Sequence, residues 1–306
     1  MAVKSLKLSG DEEDIQHEME EFEREVSLLS SVRHPNVVSF FGICQQSSTR
    51  QYMVVEYLEG GSLDSALHSK KLDFETKLNI LTGVARGMSY LHGLKPKSIV
   101  HRDLKPGNIL LDKYNNCKVC DFGLSKVIGA NSSQNTMTTN IGTLFYCPPE
   151  TIAQNEPLEN EHIEEKDALT NITKIDVYSF AIIMWETFFE ENPYVNFSSS
   201  KIHYFSKDDS NKSAHCITIL SQVVKGTRPK IPFSNREEMR EWLQEFILTK
   251  EAFIVDYLVQ VVEKYMDLMK RCWSSQPCDR PTFDSIIIEL FETKTLLERA
   301  KVKVRN

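Results

Sequence analysis

An α+β fold, with a small strand-rich part followed by a larger helical one, is predicted by three features of the sequence. AVKSLK at the start alternates as a strand does, and VVSFFGIC (37–44) with QYMVVEYL (51–58) reads as a further strand pair. Acidic GDEEDIQHEMEEFEREVSLLSSV lies between them and places Phe22, Val26 and Leu29 on one helical stripe. EGGSL (59–63) then interrupts the pattern with two glycines, a natural hinge before the helical remainder.

Within that remainder, helices are predicted over 74–92, 175–190, 236–272 and 282–301. NEPLENEHIEEKD (155–167) and SSSKIHYFSKDDSNKSAH (198–215) are polar and lack a period, so they read as surface insertions. There is no internal repeat.

Composition narrows the class. The chain has 306 residues, 41% hydrophobic and 26% charged, which suits one large domain or two lobes. With 36 Lys and Arg against 43 Asp and Glu, the net charge of -7 has the wrong sign for a polyanion-binding surface, so nucleic acid is not an expected partner. FAIIMW (180–185) is cut short by Glu186, and no apolar run reaches the about eighteen residues of a membrane span. Nothing at the N-terminus reads as a signal peptide, and a soluble, cytoplasmic protein is expected.

The seven cysteines are odd in number and irregularly spaced, which points to reduced thiols. Cys117 and Cys120 form a CxxC, but in the short strand that NCKVC suggests, positions three apart face opposite ways. A metal site or disulfide there is not expected.

HRDLKPGNILL (101–111) packs a base, an acid, a cation and an amide ahead of an apolar run. Asp121 follows in CDFG, then CPPE (147–150), DVYSF (176–180) and CDRPTF (278–283). In this order the set resembles the eukaryotic protein kinase catalytic domain. The resemblance implies a two-lobed, kinase-like α+β fold: an N-lobe antiparallel sheet plus one helix over 1–58, and a mainly helical C-lobe over 59–298 with insertions near 154–173, 198–215 and 234–262.

It also implies an activity and its cofactors. A protein kinase moves the γ-phosphate of ATP to a protein hydroxyl with Mg²⁺, and the protein's task is positioning and charge neutralisation. Asp103 then matches the group that orients the hydroxyl and accepts its proton, and Lys105 the charge that reaches the γ-phosphate. Asn108 and Asp121 match the metal ligands, hard oxygen donors of the kind Mg²⁺ prefers.

Lys4 in AVK matches the residue that holds the α- and β-phosphates. Glu25 matches its helix carboxylate, nine residues before His34, while the other acids between 11 and 23 read as a solvated helix face. Around adenine the resemblance places Ala2, Val55, the backbone of Glu56 and Leu58, and Leu110 as the floor; each apolar member equally suits plain core. His101, Phe122 and Leu29 match an internal apolar column, and Glu150 with Arg280 a buried ion pair.

Lys105 in the catalytic loop and Thr143 in GTLFYCPPE resemble serine/threonine kinases, and EYLEGGSL, KRCW and DRPTF resemble the tyrosine kinase-like group of them. In NTMTTN a phosphate on Thr136, Thr138 or Thr139 could pair with Arg102 and order the segment, or the stretch is simply polar loop. Cys120 beside Asp121 is either a small core thiol or one whose pKa is lowered by Lys4 and a metal.

One feature departs from the family. Kinases place GxGxxG on two strands before the AVK lysine, whereas Lys4 is the fourth residue here and no GxGxxG occurs elsewhere. The expectation is a piece of a longer kinase; the alternative is a weak or silent kinase relative acting as a binding module.

Overall fold

In the computed structural model the N-terminal alternating segments become one antiparallel sheet. β1 (Ala2–Ser5) and β2 (Phe40–Ser47) flank β3 (Arg50–Val55). The β1/β3 register pairs Ala2 with Val55 and Lys4 with Met53. Residues two apart share a face, so Ala2 and Lys4 project together.

The structure describes residues 1–6, 12–47, 50–69, 72–96, 98–127, 143–153, 165–194, 209–247 and 252–305. They divide into two compact units, one formed by 1–72 and 83–138, the other by 73–82 and 139–306. In the first unit, α1 (Glu12–Ser31) buries Phe22, Leu28 and Leu29. Each such side chain contributes about 1.5–3 kcal/mol on leaving water. Val26, expected on this stripe, is only half-buried, whereas Glu25 is buried. The stripe is rotated toward the residue that meets Lys4.

EGGSL does more than break a pattern. Gly61–Ser62 forms β4 and pairs with β6 (Ile109–Leu111), which pairs in turn with β7 (Cys117–Val119). α2 (Leu63–Ser69) follows directly. Gly60 is required there, because a Cβ would meet the Leu111 and Asp112 carbonyl oxygens at 2.7 and 2.6 Å. β5 (Ile99–Val100) pairs with β8 (Lys126–Val127) and brackets the 101–125 stretch. Helix α3 (Phe74–Gly93) gives its residues through Thr82 to the second unit and the rest to the first.

The second unit is helical. α4 (Pro149–Ala153), α5 (Glu165–Phe189), α6 (Asp209–Val224), α7 (Arg236–Ile247), α8 (Ala252–Cys272) and α9 (Phe283–Arg305) compose it. From Val177 to Thr187 every residue of α5 is buried, the mark of a core helix rather than a surface one. Tyr265 of α8 is buried against it and donates its hydroxyl to Met184 O at 2.7 Å.

Three sequence expectations change here. The single helix expected over 236–272 is two, α7 and α8, and Trp242 of α7 packs on Phe188, Phe189 and Phe233. α5 starts earlier than position 175. α6 begins inside the stretch read as aperiodic insertion; the sequence of its first turns is polar, and Cys216, Ile219 and Val223 are buried further along. All seven cysteines are free. No described helix is long and apolar enough to cross a membrane.

Candidate active site

The candidate residues all lie in the first unit, and the backbone explains their convergence. Between β5 and β6, Arg102 adopts φ 67° and a short 3-10 turn spans Pro106–Asn108. A non-glycine residue in the left-handed region costs about 1 kcal/mol or more and persists where its surroundings hold it. His101 supplies that hold. Its ring is buried, its Nδ1 accepts from Asp103 N–H at 3.3 Å, and Nε2–H donates to the Cys120 carbonyl at 3.0 Å. One side chain thereby fixes both the start of the 101–111 stretch and the residue before Asp121.

Asp103 is buried and heavily oriented. Its Oδ2 accepts from Lys105 Nζ at 2.8 Å and from Asn108 Nδ2 at 2.8 Å, while Asn108 Nδ2 also donates to the Asp103 carbonyl at 2.8 Å. Oδ1 is buried and has no hydrogen-bond partner among the described residues. Since both Nδ2 hydrogens of Asn108 point to Asp103, the side chain's amide oxygen is its remaining polar atom. Asn108 O accepts from Cys120 N–H at 3.0 Å, which draws Asp121 to the same place.

Lys4 bridges two carboxylates, 2.7 Å from Glu25 Oε2 and 3.0 Å from Asp121 Oδ1. Asp121 also has a left-handed backbone, φ 66°. Burial disfavours the Lys4 charge, but the two carboxylates outweigh it and raise the lysine's pKa. Burial dominates at Glu25 and raises it despite Lys4. At Asp121 burial is overcome by the charge and hydrogen bond of Lys4, with His101 and Lys105 adding, and the carboxyl is held below its ordinary range. The lysine is thus committed as a cation and Asp121 as an anion.

The other expected residues are distributed over neighbouring elements of the unit. Ala2 and Val55 are register partners, Leu110 lies in β6, and Leu58 is buried. Glu56 N–H donates to Ser39 O at 2.9 Å, and its carboxylate pairs with Lys118 at 3.0 Å. His101 and Phe122 rings lie 5.1 Å apart, and Leu29 is buried. In the second unit Arg280 holds Glu150 at 2.6 and 2.8 Å.

Of the two readings of Cys120, the small packed thiol is the one that fits. Burial pushes the Cys120 thiol up to about 12, and Asp121 raises it further while Lys4 offsets only part. An activated thiolate there does not fit. Thr136, Thr138 and Thr139 lie outside the described residues. Sequence reasoning missed the Glu56–Lys118 pair and the contacts of His34 and Asn36, which no apolar period or charge pattern marks.

The donor set fits magnesium and a polyphosphate. Among the described residues there is no group of three or more His, Cys, Asp or Glu that could hold a metal by themselves. One amide oxygen and one carboxylate suit a hard cation whose remaining positions are filled by phosphate and water. Lys4 is a cation of the kind that attracts phosphate oxygens.

Comparison with known proteins agrees with this geometry. A family model described as protein kinase domain matches residues 1–291. The chain is 31% identical over 290 residues to a probable serine/threonine-protein kinase of Dictyostelium discoideum, covering 94% of this chain and 24% of that protein. It is 32% identical over 283 residues to receptor-interacting serine/threonine-protein kinase 4 of Mus musculus, covering 92% and 29%. A probable leucine-rich repeat receptor-like protein kinase of Arabidopsis thaliana is 32% identical over 274 residues, covering 88% and 24%. The chain spans about a quarter of the length of these curated relatives. With the matched segment running from the lysine-bearing strand into α9, the chain belongs to the protein kinase domain family.

Proposed function

We propose that this chain is the catalytic part of a protein serine/threonine kinase that uses ATP and Mg²⁺ to phosphorylate a protein hydroxyl. The observation that carries the reading is the state of Asp103: Oδ2 is pinned by Lys105 and Asn108, and Oδ1 is buried without a partner. A buried, unsatisfied carboxylate oxygen costs about 1–3 kcal/mol, so it suits an atom meant to receive a donor. A substrate Ser or Thr hydroxyl is such a donor.

Each residue then has one task. Asp103 Oδ1 accepts the hydroxyl hydrogen bond, orients the nucleophilic oxygen and takes its proton. Lys105, held against Asp103, offers positive charge where the transferred group passes. Asn108 and Asp121 would hold the metal, and Lys4, aligned by Glu25, would hold the α- and β-phosphates. Ala2, Val55, Leu110 and the backbone of Glu56 and Leu58 would form the adenine pocket. Mg-ATP, when bound, would supply the phosphoryl group and a divalent cation that offsets its charge.

The test is Asp103→Asn in the full-length protein, assayed on a generic Ser/Thr substrate with a melting curve alongside. Activity should fall by about 10²-fold or more with the melting curve unchanged. Near-full activity would remove Asp103 from its role. A wild type that binds Mg-ATP yet transfers nothing to any hydroxyl would favour a silent binding module.

A further inference from the structure

The turn between α1 and β2 contains an interaction that phosphoryl transfer does not use. Asn36 N–H donates to His34 Nδ1 at 3.1 Å, so the neutral ring keeps its proton on Nε2. The half-buried imidazole lies against Tyr90 of α3, centroids 4.9 Å apart and planes within 18°. The Tyr90 hydroxyl accepts from Arg33 N–H at 3.1 Å.

The same turn grips β7. Val119 N–H donates to Asn36 O and Val38 N–H to Val119 O, both at 2.9 Å. Asn36 Nδ2 donates to the Cys117 carbonyl at 3.0 Å. The fit leaves no slack: a Cβ at Gly87 would meet Asn36 O at 2.7 Å, and one at Gly83 would meet Cys117 Sγ at 2.5 Å and Asn36 Nδ2 at 2.9 Å. Upstream of the turn is α1 with Glu25, and downstream of β7 are Cys120 and Asp121. A single turn therefore joins the supports of both carboxylates that share Lys4.

We propose that His34 is a proton-sensitive joint, whose neutral ring closes the His34–Asn36 turn and whose protonation opens it and loosens the Lys4–Glu25–Asp121 cluster. Protonation turns Nδ1 from acceptor to donor and sets two N–H groups facing each other. The groups around the ring do not welcome the charge. Arg86 and Tyr90 face it from α3 and Lys118 from β7; Lys118 is paired with Glu56 at 3.0 Å, and Arg33 of the same segment turns its guanidinium onto the Leu29 and Val32 carbonyls. Burial first, then Lys118 and Arg86, lower the pKa from the ordinary 6.5. The unfolded chain therefore binds the proton more readily than the folded one. Stability from this joint is full above pH 6.5 and declines as pH falls below it through the folded value.

His34→Asn separates the hydrogen bond from the proton. An asparagine oxygen accepts the N–H two residues on in an Asx turn and does not titrate. Wild type and His34→Asn would be melted at about pH 7.5 and about pH 5.5, and the His34 ring followed by NMR through the range in which histidine titrates. The two proteins should melt together at the higher pH, with the wild type losing a few degrees more at the lower one. Its Val119 amide should lose exchange protection there too. An equal loss in both proteins, or a ring titrating at or above 6.5, would overturn the proposal. If His34→Asn does not fold, the ring titration of the wild type decides alone. None of these readouts involves phosphoryl transfer, so the result stands apart from the kinase reading.

Discussion

Lys4 with its two carboxylates and Arg280 with Glu150 are both ion pairs between residues far apart in the chain, yet they are built in opposite ways. The Arg280 side chain is 0% exposed and forms a two-pronged bond to Glu150, with further donations to the Ser274 and Lys174 carbonyls. Its guanidinium also lies 5.1 Å from the Tyr178 ring centroid. Lys4 is 47% exposed and is shared between Glu25, 5% exposed, and Asp121, 42% exposed. A guanidinium fork locks one carboxylate in one geometry, whereas an ammonium on a flexible stem can be divided between partners and exchanged. The first arrangement suits a fixed joint of the fold, the second a cation that must also serve a ligand.

The difference predicts unequal costs. Arg280→Ala strands Glu150 and two carbonyls and should destabilise the protein by about 3–5 kcal/mol. Arg280→Lys should recover only a minor part, because a lysine cannot reproduce the fork. Urea unfolding measures both. A shift in Arg280→Ala of less than about 1 kcal/mol would place the pair among ordinary surface bridges and erase the contrast.

Lys4→Met should behave the other way round. The lysine is half-exposed, and Glu25, whose pKa burial already raises, can take up a proton when the lysine is lost, so the melting curve should move far less than in Arg280→Ala. Phosphoryl transfer should fall by about 10²-fold, the scale of losing one positioned charge. Equal damage to folding and activity would mean that the lysine is structural after all.

These two pairs also show what the sequence makes legible. Glu150 with Arg280 and Glu25 with Lys4 were reachable because short motifs mark their positions, even at separations of 130 and 21 residues. The face of α1 was not, since apolar periodicity nominated Val26 while a buried carboxylate one residue away turns the helix toward Lys4. The polar sequence at their starts explains the late boundary expected for α5 and the overlooked α6, because polar residue types carry no apolar period. The grip of Asn36 on β7 is made by backbone atoms and by the space over Gly83 and Gly87, and neither leaves a pattern in side-chain type.

The smallest expected effect tests how Lys4 is divided. Glu25 has its pKa raised from 4.5 by burial, against Lys4, whereas Asp121 has its pKa lowered from 3.8 because Lys4 overcomes its burial. As pH falls, Glu25 should take its proton first, above 4.5, and Asp121 last, below 3.8. The signs differ as well. The raised Glu25 means the folded state binds that proton more readily, so acidification through this window slightly favours folding; the lowered Asp121 gives stability that is present above 3.8 and lost as pH falls through its folded value. Carboxyl-carbon NMR resolves the two groups. Lys4→Met should raise both, and Asp121 more visibly, since its depression depends on the lysine whereas Glu25 is already governed by burial. Should Asp121 protonate before Glu25, the lysine belongs chiefly to Glu25, and the shared cation drawn here would give way to a simple helix pair.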